Sequence, residues 1–232
     1  MKKPILTILS LAITFSVFAQ NKIHFVPAFE EGFTFPLAEF TNANKKEVVR
    51  YTGTVTNLSL KTHVTIAPNF NFSLNTGILN HGFIHNLNDT LKVKQRAYVI
   101  PIGAQFTFGD VKNKNFFIGA EAHIPFHYKE KTWVIGERST KIKSSEWLSS
   151  KTEMFSPLVF LGFQFNKKTY IQLKYQLGNF LDPTQNFNFR GINTKISQSN
   201  MVSLSFGTII NAKNASGFSK PMDDSKDIEI DI

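Results

Sequence analysis

The stretch that decides the fold runs from Gln95 to Gly109 and reads QRAYVIPIGAQFTFG. Its even-numbered positions, from Tyr98 to Phe108, are apolar or aromatic, and its odd-numbered positions are mostly small or polar. Because side chains alternate between the two faces of a strand, this pattern predicts an amphipathic β-strand. The strand is longer than the five or six residues typical of soluble sheets, and a strand of roughly 9–11 residues is enough to cross a bilayer. The apolar face therefore meets either a protein core or lipid.

The same alternation recurs along the chain and predicts eight strands in total. They are 23–37, 58–67, 70–80, 95–109, 116–128, 155–166, 169–181 and 199–210. The stretches 42–57, 131–151 and 182–198 between them are predicted to be long loops, and the connections near 68, 110 and 167 to be short turns. Long loops that alternate with short turns are typical of outer-membrane barrels. The sequence thus predicts an all-β fold, an eight-stranded antiparallel up-and-down transmembrane β-barrel with a filled lumen.

The N-terminus predicts export. Lys2 and Lys3 precede an apolar run over 5–18, and Ala19 occupies the −1 position of a signal-peptidase site. The run is shorter than the ~20 residues of a spanning helix, so a Sec signal peptide is predicted. The predicted organisation is a signal peptide over 1–19, an outer-membrane β-barrel over 20–210 and a disordered periplasmic tail over 211–232. The chain has no Cys, which excludes a disulfide framework and a lipoprotein anchor.

Composition bears on whether the apolar faces meet lipid or a protein core. The chain has 24 Phe residues, yet its mean hydropathy is −0.13. Membrane barrels have such values because only alternate residues face lipid. A continuous apolar outer face would promote aggregation in water, which favours the membrane barrel. A soluble secreted barrel that binds a ligand inside its lumen is the alternative.

The polar faces predict the contents of the lumen. Eight strands enclose a space that side chains just fill, and buried charges persist only when they are paired. The predicted lumen network comprises Glu30, Lys61, His63, Gln105, Glu121, His123, His127, Gln172 and Lys174. His123 and His127 lie four residues apart on one strand, or ~13 Å, too far to share a metal without other ligands. No metal, cofactor or catalytic residue is predicted, and we expect the protein not to be an enzyme.

Three segments resemble a known group of proteins. They are YVIPIGAQF over 98–106, FFIGAEA over 116–122 and LKYQLGNF over 173–180. On these segments the chain resembles the small outer-membrane β-barrel proteins of Bacteroidetes, which are often assigned to the porin family. The resemblance implies that the protein is a membrane protein of the cell outer membrane. The last predicted strand departs from the usual pattern, because it ends at Ile210 instead of an aromatic residue.

Charge predicts the partners. The chain carries a formal net charge of +9, and the predicted outer loops contain the basic residues Lys45, Lys46, Arg50, Arg138, Lys141 and Lys143. Cations near an anionic leaflet are stabilising, so outer-membrane lipid and lipopolysaccharide are the expected partners of a monomeric protein. Nucleic acid is not expected. The predicted function is a structural or interaction role through the outer loops. The alternative is a small pore or an accessory subunit of a transport or secretion system.

Overall fold

The computed structural model describes residues 23–41, 46–53, 57–111 and 113–210. The predicted signal peptide and tail lie outside the described residues. The described ranges contain twelve β-strands and no α-helix, so they hold no helix long and apolar enough to cross a membrane. The strands are β1 Ile23–Phe40, β2 Lys46–Val48, β3 Arg50–Thr52, β4 Leu58–Ala67, β5 Phe70–Asn86, β6 Leu91–Gly109, β7 Asn115–Val134, β8 Glu137–Trp147, β9 Ser156–Gln164, β10 Thr169–Gln176, β11 Asn186–Phe189 and β12 Ile192–Ile209.

Eight of these strands form a closed ring, in the order β1, β4, β5, β6, β7, β9, β10 and β12. Every neighbouring pair is antiparallel, and β12 pairs back onto β1 from Ala28 opposite Ile209 to Phe40 opposite Ile196. Closure leaves the ring without a free edge strand. The predicted number, order and antiparallel pairing of the main strands agree with this ring.

The ring has two distinct ends. The turn end holds the short connections after β4, β6 and β9. The loop end holds the four strands outside the ring, where β2 pairs with β5, β3 with β1, β8 with β7 and β11 with β12. The predicted loops 42–57, 131–151 and 182–198 were therefore wrong in part, because each contains residues of paired strands.

Large apolar side chains surround the turn-end part of the ring, and every ring strand contributes to them. We call this surface the apolar belt. It comprises Phe25, Phe29, Phe33, Phe35, Leu37, Leu58, Ile66, Leu74, Ile78, Ile100, Ile102, Phe106, Phe108, Phe116, Ile118, Val159, Leu161, Phe163, Leu173, Tyr175 and Phe206, all exposed. On β6 the apolar outward face runs from Tyr98 to Phe108, which matches the roughly 9–11 residues of a membrane-spanning strand.

The polarity of both faces of β6 reverses near Tyr98. Below this level, toward the turn end, β6 directs apolar side chains outward and Gln105 and Thr107 inward, both buried. Above it, the strand directs charged residues outward and buries Val93 and Ala97. The turn-end part is apolar outside and polar inside. The loop-end part is charged outside and largely apolar inside, as in an ordinary soluble sheet.

An apolar core fills the loop end of the ring. Its buried members are Ala38, Leu79, Phe83, Leu87, Leu91, Val93, Ala97, Val99, Tyr128, Phe180, Leu181, Phe187, Phe189, Ile196 and Met201. These residues come from the ring strands and from the connections above them. The predicted strands at 70–80, 95–109 and 116–128 were too short because the alternation continues here with inverted polarity.

A β-bulge in β7 changes which residues point inward. Tyr98 pairs with His127 and Val99 with Pro125, so Phe126 is an extra residue in the ladder. A bulge shifts the alternation by one residue. As a result, Tyr128 is buried inside the ring, and His127 lies on the outside with its ring stacked on Trp147 at a centroid distance of 4.2 Å. The prediction that His127 faces the lumen was wrong because an uninterrupted alternation had been assumed.

We expect Gly207→Ala to destabilise the ring. A Cβ at Gly207 would lie 1.9 Å from Cζ of the Tyr170 ring, which packs across this glycine. Overpacking of this kind costs about 1–3 kcal/mol, and the unfolding midpoint in urea should fall accordingly. Gly53→Ala is the matched control because its Cβ would meet only Cε1 of Tyr51, at 3.8 Å. Equal midpoints for the two variants would contradict the packing of Tyr170 on Gly207.

Candidate functional site

The turn-end interior contains a network of buried charges centred on Lys174. Lys174 lies on β10, and its Nζ is 3.0 Å from Oε1 of Glu121 on β7 and 3.3 Å from Oε2 of Glu30 on β1. Lys174 thus bridges two carboxylates that different parts of the ring place inside. All three residues are at most 8 % exposed. Since a buried charge is tolerated only when paired, each member depends on the others.

Two further side chains contact the carboxylates: Tyr170 reaches the second oxygen of Glu30, and His123 shares Oε1 of Glu121 with Lys174. The hydroxyl of Tyr170 donates to Oε1 of Glu30 at 2.8 Å. Nε2 of His123 lies 2.9 Å from Oε1 of Glu121, on the same strand and two residues away. These hydrogen bonds fix the orientation of both carboxylates toward Lys174. The network therefore spans β1, β7 and β10.

Lys61 on β4 balances the charge of this interior. Its Nζ lies 4.5 Å from the ring centroid of Phe117 and 4.4 Å from that of Tyr170, so two aromatic faces hold the ammonium. Lys61 is 7 % exposed. The buried carboxylates of Glu30 and Glu121 are thus matched by two ammonium groups.

The other predicted lumen residues are also buried but do not all join this network. Nδ1 of His63 lies 2.6 Å from Oγ of Ser73, and Gln105 donates to Oγ1 of Thr107 at 2.9 Å. Gln172 is 2 % exposed and borders a small cavity beside Lys174. The structure thus brings together Glu30, Glu121, His123, Lys174 and Lys61, with Gln172 bordering the same cavity. It places His63 and Gln105 elsewhere in the interior and His127 outside.

The structure adds residues that the sequence reasoning missed. Tyr170 completes the network. The sequence could have indicated it, because Tyr170 alternates with Gln172 and Lys174 on the same face of the strand. Nε2 of His81 lies 2.8 Å from Oε1 of Gln176, and its ring is edge-on to that of His123 at 4.6 Å. This pair lies between the charge network and the apolar core at the loop end.

The predicted basic residues of the outer loops divide into three groups. Arg138, Lys141 and Lys143 are exposed on β8, a paired strand and not a loop. Lys45 lies outside the described residues, and Lys46 is described only as part of the backbone of β2. The remaining residue, Arg50, behaves differently.

Arg50 is buried at 2 % exposure, so its assignment to an exposed loop was wrong. Its Nη2 donates to the backbone carbonyl of Asn80 at 3.4 Å and also contacts Oδ1 of that residue. Between Ile78 and Ile84 the edge of β5 lacks a paired strand, since β4 pairs with it below and β2 above. Together with Asn57, whose Oδ1 accepts from the backbone N–H of Asn80, Arg50 satisfies the backbone groups of Asn80 in this gap.

The arrangement suits the closing of an interior better than chemistry on a substrate. The cavity beside His81, His123 and Lys174 has a volume of about 50 Å³, room for only a few water molecules. The second cavity, near Gln172, is about 10 Å³. Within the described residues no group of three or more His, Asp or Glu is placed to hold a metal ion.

Comparisons with known proteins identify structural resemblances but no family. No family model and no curated protein sequence matches the chain. Ail, the attachment invasion locus protein of Yersinia pestis, is 13% identical with a TM-score of 0.33, covering 80% of this chain and 98% of that one. Neisserial surface protein A is 9% identical with a TM-score of 0.37, covering 82% and 98%. The outer membrane protein OprG from Pseudomonas aeruginosa is 11% identical with a TM-score of 0.38, covering 80% and 95%.

We expect Lys174→Met to be strongly destabilising. Removal of one partner from a buried ion pair costs about 3–5 kcal/mol, because Glu30 and Glu121 would be left as uncompensated buried charges. The triple variant Glu30→Gln/Glu121→Gln/Lys174→Met should recover much of this loss. Urea unfolding of the refolded protein measures both changes. Lys168→Met, at an exposed turn, is the control and should leave the midpoint unchanged. A single variant as stable as the triple variant would contradict the network.

Proposed function

We propose that this protein is a transmembrane β-barrel of the bacterial outer membrane that acts without catalysis, as a structural and interaction protein. The observation that supports this most is the joint reversal of polarity near Tyr98. A belt of exposed apolar side chains encircles the turn-end part, and the polar groups are inside. Such a surface is stable in lipid and prone to aggregate in water. Beyond the belt the same strands have the arrangement of a water-soluble sheet.

Closure of the sheet supports the same proposal. In lipid every backbone N–H and C=O must be paired within the protein, and a closed ring satisfies them without a free edge. The chain would be exported by the predicted signal peptide, with the short turns in the periplasm and the loop end outside. We also propose that the protein is related to the small outer-membrane β-barrel proteins of Bacteroidetes.

The filled interior supports a role other than solute passage. Lys174, Glu30 and Glu121 cross the turn-end interior, and the apolar core with Phe83 and Phe180 fills the interior above them. A pore of this ring would need both layers to open. The remaining surface for function is the outside of the loop end, where the strands carry charged residues beyond the belt. We propose that this surface contacts lipopolysaccharide or a partner protein, and that the protein acts as a monomer.

We expect Ile102→Arg to prevent stable insertion in a bilayer, whereas Ile142→Arg should be tolerated. The two isoleucines have equal exposure, 55 %, but Ile102 lies within the apolar belt and Ile142 on β8 beyond it. An Arg at the midplane of a membrane barrel costs about 2–4 kcal/mol, and an exposed position in water costs little. The readouts are the recovery of folded protein in the outer-membrane fraction and its altered electrophoretic mobility before boiling.

The unmodified protein should appear in the outer-membrane fraction and shift in mobility on boiling. Soluble protein without a shift, with both Arg variants equally tolerated, would contradict the membrane barrel. It would instead support the soluble secreted barrel with a ligand inside.

We expect the purified protein to give no steady single-channel conductance in planar bilayers, because side chains occupy the interior at two levels. Phe83→Ala combined with Phe180→Ala, which removes two large side chains of the apolar core alone, should also remain closed, since the charge network stays in place. Regular conductance steps from the unmodified protein would overturn the closed interior and support the small-pore alternative.

A further inference from the structure

One outer surface of the loop end is unusually rich in cations. We call it the basic face. Its residues, which lie on the adjacent strands β6, β7 and β8, are Lys92, Lys94, Arg96, Lys129, Lys131, Lys141 and Lys143. The register sets Lys94 opposite Lys131, and Lys131 opposite Lys143, in one row across three strands. Arg96 is opposite Lys129 in the next row toward the belt.

These side chains point away from the ring interior. On β6 they alternate with Val93, Gln95 and Ala97, all of which are buried inside. Aromatic rings on the outside mark the same surface. Nζ of Lys129 lies 5.0 Å from the ring centroid of Tyr98 on β6, and Nζ of Lys141 lies 6.0 Å from that of Trp133 on β7.

Nothing in the described part of the chain neutralises this face. None of its seven cations lies within 4.0 Å of a carboxylate oxygen there, and the carboxylates of Glu130 and Glu146 on the same strands have other partners. Glu130 accepts from the inward-facing Tyr128 at 2.9 Å, and Glu146 is paired with Lys151 at 2.8 Å. Nε of Arg96 is buried without a hydrogen-bond partner among the described residues.

The repulsion between these like charges is not offset by contacts within the fold. Like charges directly opposite each other on neighbouring strands are destabilising. Burial and the neighbouring cations Arg50, Arg96, Lys131 and Lys141 lower the pKa of Lys94, which lies beyond the belt, to about 8. A bound polyanion would convert this repulsion into attraction, because charge-assisted hydrogen bonds to phosphate are among the strong ones.

The position of the basic face identifies the source of the anion. The face begins directly above Tyr98, where the outward apolar surface of β6 ends, and so lies at the level of lipid headgroups. The exposed Trp147, stacked on His127, and Phe126 are at this border. Aromatic side chains of this kind favour the interface between hydrocarbon and water. A soluble polyanion would not require its cationic site to lie next to the apolar belt.

We infer that the basic face binds the phosphate groups of phosphorylated lipids in the outer leaflet, and that the row Lys94, Lys131 and Lys143 is its centre. This inference rests on the proposed function, since it needs the apolar belt to be in a bilayer. It adds the chemistry of the partner, which is a phosphate monoester on a membrane lipid, and the strands that bind it.

The test uses the full mature chain refolded into vesicles of phosphatidylcholine with either diphosphorylated lipid A or lipid A stripped of its phosphates. Lipid retained after mild detergent extraction is quantified. The variant Lys94→Gln/Lys131→Gln/Lys143→Gln is compared with Lys114→Gln/Lys167→Gln/Lys168→Gln, which removes the same charge from exposed positions at the turn end.

We expect the unmodified protein and the turn-end variant to retain diphosphorylated lipid A and to release the stripped lipid. The basic-face variant should bind it more weakly by on the order of 100-fold, because each basic residue at an anionic surface contributes a factor of about five. High salt should weaken retention in the same way, since Lys143 is exposed and Lys94 and Lys131 are half-buried, so that salt ions can screen them.

The outcomes separate the two proposals. Failure of the unmodified protein to insert, seen as the absence of a mobility shift on boiling, would overturn the proposed function itself. Insertion with equal retention by both variants would overturn the phosphate site and leave the membrane barrel intact. Stabilisation by soluble inositol hexakisphosphate without retention of lipid A would overturn the assignment to a membrane lipid.

Discussion

Closure of the β-sheet is the constraint on which the rest of this structure depends. Once β12 pairs with β1, each ring strand has two partners, and Arg50 and Asn57 cover a stretch of β5 without a strand partner near Asn80. Closure also creates an inside, and with eight strands that inside is narrow. Gly207 leaves room for Tyr170 to lie across the interior, and Gly103 allows close approach of Glu121, whose Cβ lies only 2.4 Å from a Cβ built at the glycine. Space inside the ring therefore decides which side chains the strands present there.

The narrow interior makes the charge network coherent. Glu30, Glu121 and Lys174 are separated by many residues in sequence, yet the ring brings their charged atoms within hydrogen-bonding distance. Their desolvation is offset by mutual contact, by the hydrogen bonds from Tyr170 and His123 and by the nearby ammonium of Lys61. The network thus couples β1, β7 and β10, three strands that are not all neighbours in the sheet. Its clearest consequence is a closed interior.

The reversal of polarity along single strands connects structure to function. The single strand β6 carries three zones on its outer side: an apolar face, an aromatic border at Tyr98, and then Lys92, Lys94 and Arg96. Each part suits a different surrounding medium, namely hydrocarbon, interface and water. The strands beyond the belt are held by their own apolar core, which makes them a rigid extension. A rigid extension can hold charged side chains at fixed spacing, and fixed spacing favours binding of a defined group over a diffuse counterion cloud.

The amino-acid pattern was sufficient for the number, order and pairing of the ring strands, because alternation with period two and the short turns are local properties. It also predicted that Glu30, Lys61, Glu121, His123 and Lys174 share the interior, since each falls on a polar face. It could not predict the strand ends. At the loop end, segments with charged residues outside and Val or Leu inside were predicted to be loops. The reason is that apolar residues were expected on the outside along the whole strand.

Only the tertiary structure decided the remaining features. The bulge at Phe126 exchanged His127 and Tyr128 between the two faces, and a bulge is set by the register with β6, not by local sequence. Arg50 became buried because the edge of β5 near Asn80 lacked a strand partner, a gap that exists only in the closed ring. The sequence determined which face of each strand is apolar, since that is encoded residue by residue. Which charges meet, and where the surrounding medium changes, depends on contacts between strands distant in the chain.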